Sequence, residues 1–157
     1  MSYDDPPSRT PAGDAFTALV VQVLRLNGHL TAAGDALARP AGQTSARWQV
    51  MGVVEHGPAT VAQVARALGL ARQSVQRIAD LLEGDGLAEF IPNPADRRAA
   101  LLQLTVAGRA ALRTIQTAQR AWADALGAEI GEDALRQASE VLARVAEVVA
   151  SRGYGER

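Results

Sequence analysis

The sequence predicts a mainly α-helical protein with one small β hairpin, and three features of the chain support this fold class. Apolar residues recur every three or four positions over most of the 157 residues, which is the period of an α-helix. Hydrophobic residues make up 48% of the chain but aromatic residues only 4%, and the abundant alanine suits closely packed helices. A turn-rich segment with two prolines, residues 92–98, separates two short apolar runs and indicates the hairpin.

The N-terminal part is expected to form a tail followed by a long helix. Residues 1–13 contain three prolines, two serines and two aspartates, which predicts a disordered tail. An apolar stripe with heptad-like spacing then predicts a helix over residues 14–38, which ends at the Arg-Pro-Ala-Gly of residues 39–42. The stripe consists of Phe16, Leu19, Val23, Leu26, Leu30, Ala33 and Leu37. Such a stripe needs a partner surface, and packing within the chain and packing against a second subunit remain equally open.

The next two helices are predicted from the residues at their ends. Thr44 or Ser45 would cap a helix that ends at residues 56–58, where glycine is followed by proline. Residues 60–63, Thr-Val-Ala-Gln, fit a capping box at the start of the following helix. The apolar face of that helix consists of Val61, Val64, Ala65 and Leu68. Gly69 is expected to end it.

The helix that starts at Ala71 has one apolar and one polar face when its residues are placed 100° apart. Its apolar residues are Val75, Ile78, Ala79 and Leu82. Its polar residues are Gln73, Ser74, Gln76, Arg77 and Asp80, with Arg72 at the edge. Amide, hydroxyl and guanidinium groups hydrogen-bond base edges and phosphates. Two helices joined by a glycine turn, the second with such a face, predict a helix-turn-helix.

Short strands are predicted at residues 87–91 and 100–104, on either side of the turn-rich segment. This segment carries Arg97 and Arg98, which would reach phosphates or a narrow minor groove, where the negative potential is deepest. A hairpin with arginines at its tip, directly after the polar-faced helix, makes residues 44–105 a winged helix-turn-helix with a small β wing.

Two more long helices are predicted after the hairpin, the first capped by Thr105. Their apolar stripes contain Leu112, Ile115, Ala118, Trp122 and Leu126, and, after a break at 127–131, Leu135, Ala138, Val141, Leu142, Val145, Val148 and Val149. The long helices carry more apolar surface than one small domain can cover. Residues 14–38 and 106–152 are therefore interpreted as dimerisation helices that flank the winged unit within a single domain, residues 14–152. A dimer would place two recognition helices about 34–36 Å apart, one turn of DNA.

Three segments together resemble the MarR family of bacterial transcriptional regulators. They are residues 74–87, the Asn-Pro-Ala-Asp-Arg-Arg of residues 93–98 and the Leu-Thr-Val-Ala-Gly of residues 104–108. The resemblance extends over about residues 14 to 150 through the flanking helices. It implies an obligate homodimer that binds pseudo-palindromic operators and usually represses transcription until a small ligand or an oxidant releases it. The absence of cysteine departs from the peroxide-sensing members of the family.

The candidate DNA-binding residues are Thr60, Arg72, Gln73, Ser74, Gln76, Arg77, Arg97 and Arg98. Arg77 is the strongest single candidate for a base or phosphate contact. A carboxylate repels phosphate, so Asp80 is expected to orient an arginine such as Arg77 or one from the wing. The resemblance places residues 96–98 in the wing motif, where one arginine is expected to enter the minor groove and the other to pair with Asp96. A solvated helix face and a plain surface hairpin are the alternatives.

The resemblance also implies a crevice for a small aromatic or anionic effector between the dimerisation helices and the winged unit. The candidate residues for this crevice are Arg25, His29, Trp48 and Met51, with Arg25 available for an acid group. Core packing is the alternative for Trp48 and Met51, and a surface position is the alternative for His29.

Composition limits the other functions that can be expected. The net charge is −1, and residues 47–109 carry seven arginines against six acidic residues, so DNA binding would depend on a few well-placed arginines. The chain has no cysteine, two histidines and no glycine-rich phosphate loop, which leaves no visible set of residues for catalysis, a metal or a cofactor. No apolar run approaches the roughly 20 residues of a membrane helix, so a cytoplasmic protein is expected. The near-neutral charge keeps open an alternative function, a winged-helix protein-interaction module without DNA binding.

Overall fold

Six α-helices and a three-stranded sheet form the described part of the chain, residues 9–152 of a computed structural model. The helices are α1 Pro11–Ala38, α2 Ser45–Glu55, α3 Val61–Leu68, α4 Arg72–Gly84, α5 Val106–Ile130 and α6 Glu132–Ser151, with a 3-10 turn at Arg39–Ala41. The strands are β1 Ala59–Thr60, β2 Ala88–Ile91 and β3 Leu101–Leu104. The predicted fold class, mainly α with a small β wing, is confirmed. The chain divides into two compact units, one ending at Ile115 and the other beginning at Gln116.

Helix α1 begins three residues before the predicted start at Asp14, because its cap lies further upstream. The Thr10 hydroxyl accepts a hydrogen bond from the Gly13 N–H at 3.1 Å, and Pro11 occupies the first turn, where its missing N–H costs nothing. The first eight residues of the predicted tail lie outside the described residues.

Helix α2 is capped twice, once from its own sequence and once from α1. The sequence left Thr44 and Ser45 open as the cap, and Thr44 is the residue whose hydroxyl accepts from the Arg47 N–H. The Asp35 carboxylate of α1 accepts from the Ser45 N–H at 2.7 Å. Gly34 lies so close to α2 that a Cβ there would be 2.6 Å from the Ser45 hydroxyl oxygen. These contacts fix the end of α1 against the start of α2.

The sheet has the order β1-β3-β2, and both pairs are antiparallel. Strands β2 and β3 each begin one residue later than predicted. In the register of this pair Ala100 would lie opposite Pro92, which has no N–H to donate, so β3 begins at Leu101. Strand β1 was not predicted, since two residues are too few to show an alternating pattern. It ties the start of α3 to the wing.

The core of the winged unit contains the apolar faces predicted for α3 and α4, together with residues of α2, β3 and α5. Its fully buried side chains include Val50, Met51, Val64, Val75, Leu82, Leu102, Leu104 and Leu112. On α4, Ala79 is also buried and Ile78 is half-buried against this core, so the predicted inward face is confirmed. Burial of this face fixes which side of α4 points to solvent.

Most large apolar residues of α1 between Phe16 and Leu30 are exposed to solvent. Leu26 keeps 50% of its surface exposed, and Leu24, on another side of the same helix, keeps 67%. Phe16, Val20, Val21, Val23 and Leu30 are also exposed. In the second unit, α6 has no buried residue although its apolar positions recur with helical spacing. A membrane-spanning helix is not found in residues 9–152, where no helix combines the required length and hydropathy.

Candidate nucleic-acid interface

A glycine turn sets the angle between α3 and α4. Gly69 adopts a left-handed conformation with φ of 64°, which a residue with a Cβ rarely adopts. The Leu70 N–H then donates to the Ala65 carbonyl at 3.0 Å and closes the end of α3. Helix α4 begins after Ala71, whose side chain cannot cap, so the first N–H groups of α4 remain available to an acceptor such as a phosphate. The predicted helix-turn-helix is confirmed as a local structure.

The polar face of α4 points to solvent, as predicted. Arg72, Gln73, Ser74, Gln76, Arg77 and Asp80 are all exposed. Within residues 9–152, neither Arg72 nor Arg77 makes a side-chain hydrogen bond or an ion pair. Their guanidinium groups are therefore free to bind an acceptor outside the chain.

Asp80 does not orient an arginine, and this part of the sequence prediction is wrong. Its Oδ1 accepts a hydrogen bond from Gln76 Nε2 at 2.7 Å. Residues four apart lie next to each other on one face of a helix. Gln76 is therefore a close neighbour of Asp80 on α4. The carboxylate is thus committed to an amide of the same exposed face.

The wing loop is closed by side chains that bind its own backbone. Asn93 Nδ2 donates to the Ala99 carbonyl at 3.0 Å, and Asn93 Oδ1 accepts from the Ala95 N–H at 3.0 Å. Asp96 Oδ1 accepts from the backbone N–H of Arg98 at 2.9 Å. Aspartate and asparagine commonly form such local turns. The expected pairing of Asp96 with a wing guanidinium is wrong, because the carboxylate instead holds the loop backbone.

As a result both wing arginines are exposed, and in the described chain neither guanidinium forms an ion pair. The tip of the wing therefore presents two positive charges on a loop of fixed shape. This arrangement suits contact with a phosphate backbone or a minor groove.

A groove with a cavity volume of about 260 Å³ lies between the start of α3, helix α4 and the wing. Its lining includes Thr60, Arg72, Gln76 and Arg98, together with Phe90 and small apolar residues. The Thr60 hydroxyl caps α3 by accepting from the Gln63 N–H, and it keeps its own proton to donate. The fold thus brings together candidate residues from three separate parts of the sequence.

Arg47 of α2 holds the other end of α4, and sequence analysis missed it. Its Nη2 donates to the Leu81 carbonyl at 3.0 Å and also contacts the Asp85 carboxylate. A guanidinium suits the C-terminal end of a helix, where the helix dipole places partial negative charge. The partners lie 34 and 38 residues away, so no local pattern could indicate the contact.

Comparison with known proteins identifies the family. The MarR family model matches residues 41–99, which contain α2 to α4 and most of the wing. The uncharacterized protein Rv2011c of Mycobacterium tuberculosis (strain H37Rv) is 45% identical over 102 residues, which are 65% of this chain and 71% of that protein. An uncharacterized protein of Mycobacterium bovis matches equally well. The chain belongs to the MarR family.

Solved structures of MarR-family type show the same fold over most of the chain. The transcriptional repressor CouR, bound to a 23-mer DNA duplex, has a TM-score of 0.75 and 26% identity, and the match covers 88% of this chain and 99% of CouR. The M. tuberculosis regulator MosR in complex with DNA has a TM-score of 0.69 and 26% identity, covering 83% of this chain and 96% of MosR. The chain is thus a winged-helix member of a family of transcriptional regulators.

The four residues suggested for an effector crevice lie in different surroundings. Met51 is fully buried, and Trp48 is half-buried against the same core, as the core-packing alternative expects. Arg25 and His29 are exposed on α1. Their role in ligand binding stays a prediction. No group of three or more metal-ligating side chains occurs in the described 9–152 segment.

Proposed function

We propose that this MarR-family chain is a homodimeric, sequence-specific DNA-binding regulator that represses transcription. In this proposal α4 of each subunit enters the major groove of a pseudo-palindromic operator, where Gln73, Ser74, Gln76 and Arg77 meet base edges and phosphates. Arg97 and Arg98 of the wing contact the adjacent backbone or minor groove, while Arg72 and Thr60 contact phosphate.

The observation that carries the proposal is the exposed polar face of α4 beside a wing with unpaired arginines. The groove between them is lined by Arg72, Gln76 and Arg98, all of which can donate hydrogen bonds to an anion or a base. The DNA-bound neighbours CouR and MosR support the same use of the fold. CouR is a transcriptional repressor, which supports repression in particular.

The exposed apolar surface of α1 supports the dimer. Monomeric proteins rarely leave a contiguous apolar surface of several large side chains in water. Val23, Leu26 and Leu30 of the stripe on α1 keep 40%, 50% and 47% of their surface exposed. Sedimentation equilibrium should give twice the chain mass, and a monomer at micromolar concentration would refute the dimer.

Fluorescence anisotropy tests DNA binding directly. A labelled duplex from the intergenic region beside the gene for this protein should bind tightly in the presence of excess unrelated duplex. Arg77→Ala should weaken this binding while the protein keeps its fold. Equal affinity for operator and unrelated DNA would contradict sequence specificity.

The proposal includes release of DNA by a small aromatic or anionic effector that contacts Arg25, His29 and Trp48. Arg25 and His29 supply exposed polar groups, and Trp48 supplies a partly exposed ring. A thermal-shift screen with phenolic and carboxylate compounds should find ligands that raise the melting temperature of the parent but not of Arg25→Ala. Compounds that stabilise both proteins equally would exclude Arg25 from the site.

A second candidate function, a protein-interaction module without DNA binding, is favoured only by the net charge of −1. The anisotropy experiment separates the two functions, because such a module would bind neither duplex at low salt.

A further inference from the structure

Asp80 is an unusual residue on a face that is proposed to meet DNA. Its carboxylate is exposed on α4, where it would repel the phosphate backbone. It does not neutralise a neighbouring arginine, since its hydrogen-bond partner is the amide of Gln76, at 2.7 Å. Within the chain, Asp80 therefore holds the side chain of Gln76 on the same face of α4.

The hydrogen bond determines which way the Gln76 amide points. An ionised carboxylate only accepts hydrogen bonds, so the amide must turn its nitrogen toward Asp80. Oε1 and the second N–H of Gln76 then remain for an outside partner. A glutamine without such a neighbour can present either end of its amide. Gln73, also exposed on α4, has no hydrogen-bonded side-chain partner in the described chain, so its amide stays free to turn.

The remaining groups of Gln76 are the pair that adenine requires in the major groove. Adenine offers an N6 amino group that donates and an N7 atom that accepts, and glutamine binds both at once. Guanine offers two acceptors, O6 and N7, at the same edge. Gln76 has one N–H left, so it cannot donate to both acceptors of guanine, and its Oε1 would face O6. The pairing with Asp80 thus favours adenine over guanine.

We propose that Asp80 is a positioning residue that fixes the Gln76 amide for adenine and thereby sets the base preference at one position of each half-site. This inference rests on the proposed DNA-binding function. Specific interfaces commonly combine attractive contacts with elements that disfavour the wrong partner. The face of α4 around Gln76 supports the assignment, because Gln76 also lines the groove beside Arg72 and Arg98.

Two substitutions at Asp80 remove the carboxylate in different ways. Asp80→Asn keeps a polar side chain of the same size, but its amide can donate as well as accept, so Gln76 can turn either end toward it. Asp80→Ala removes the hydrogen-bond partner altogether. Both variants should bind DNA more tightly overall, because the repulsion of phosphate is gone. Both should also weaken the preference for adenine, because neither fixes which end of the Gln76 amide faces the DNA.

The experiment begins with duplexes selected by the parent protein from a random pool. Each base pair of the selected site is then exchanged, and affinities are measured by anisotropy. The parent should discriminate adenine from guanine at one position by about 5- to 150-fold, the range of a good bidentate contact. Both Asp80→Asn and Asp80→Ala should reduce this ratio, and Asp80→Ala should reduce it to about 2-fold or less. Gln76→Ala should lose it at the same position, and adding Asp80→Ala to that variant should change nothing further in the ratio.

The contrary results are distinct from one another. An unchanged ratio in Asp80→Ala would overturn the positioning role while leaving DNA binding intact. A preference lost in Asp80→Ala at a position that Gln76→Ala does not affect would show that Asp80 contacts a base itself. A parent that selects no sequence would overturn both this inference and the proposed function. The NMR resonances of the Gln76 side-chain amide in the free protein should shift in Asp80→Ala, and unmoved resonances would also refute the pairing.

Discussion

Removal of both wing arginines should flatten the salt dependence of DNA binding. Each protomer has four guanidinium groups at the proposed interface without an ion-pair partner in residues 9–152, on Arg72, Arg77, Arg97 and Arg98. If all eight of a dimer displace counterions, the logarithm of affinity falls with the logarithm of salt with a slope of about −7. The variant Arg97→Ala/Arg98→Ala keeps four of them, so its slope should be about −3.6.

The difference is large enough to measure without ambiguity. Between 50 and 200 mM salt, the parent should lose about 10⁴-fold in affinity and the double variant only about 10²-fold. Anisotropy titrations of one duplex across this range give both slopes. Arg136→Ala/Arg144→Ala is a matched control, because it removes the same charge from α6 and should keep the parental slope. An unchanged slope in the wing variant would remove the wing from the DNA interface.

Three further predictions test other parts of the account. Arg77→Ala should cost about 1–3 kcal/mol of operator binding with an unchanged dimer mass, and an unchanged Kd would mean that this face of α4 does not bind DNA. Gly108→Ala should destabilise the fold by about 1–3 kcal/mol, because the added Cβ would lie 1.9 Å from a backbone oxygen, as urea unfolding would reveal. Gly52→Ala, also in a helix but with open space around it, should instead stabilise by up to about 1 kcal/mol, and the same sign for both would refute the packing argument. Arg47→Ala should lower the free energy of unfolding by about 1–2 kcal/mol. Asp85→Ala should lower it less, because Arg47 also donates to the Leu81 carbonyl. Equal effects of the two substitutions would mean that only the ion pair with Asp85 contributes to stability.

Periodicity and capping patterns predicted the elements whose determinants are local. The buried face of α4, with Val75 and Leu82, follows from helical spacing alone, and the exposed face follows from the buried one. The capping box of α3 is also local, and both of its hydrogen bonds are present between Thr60 and Gln63. Most of the candidate interface could therefore be predicted from the sequence.

The errors arose where several partners compete for one side chain. Asp80 and Asp96 are both acidic residues near arginines, and the sequence suggested ion pairs for both. Each is instead held by a neighbour at close range, Gln76 in the first case and a backbone N–H in the second. An exposed ion pair gains little in water, so a local hydrogen bond with favourable geometry can take its place. The hydrogen bond between Gln76 and Asp80 could have been predicted from the four-residue spacing of these residues on a helix. The Arg47 contact could not, because it depends on the packing of α2 against α4.

Selection of duplexes from a random-sequence pool, followed by sequencing, tests the central claim most directly. A dimer that presents two copies of α4 to DNA should enrich an inverted repeat of two half-sites whose centres lie about 10–10.5 base pairs apart. Gln76→Ala should shift the preferred base at one position of both half-sites together. A single unpaired motif, or no enrichment over the starting pool, would contradict the account.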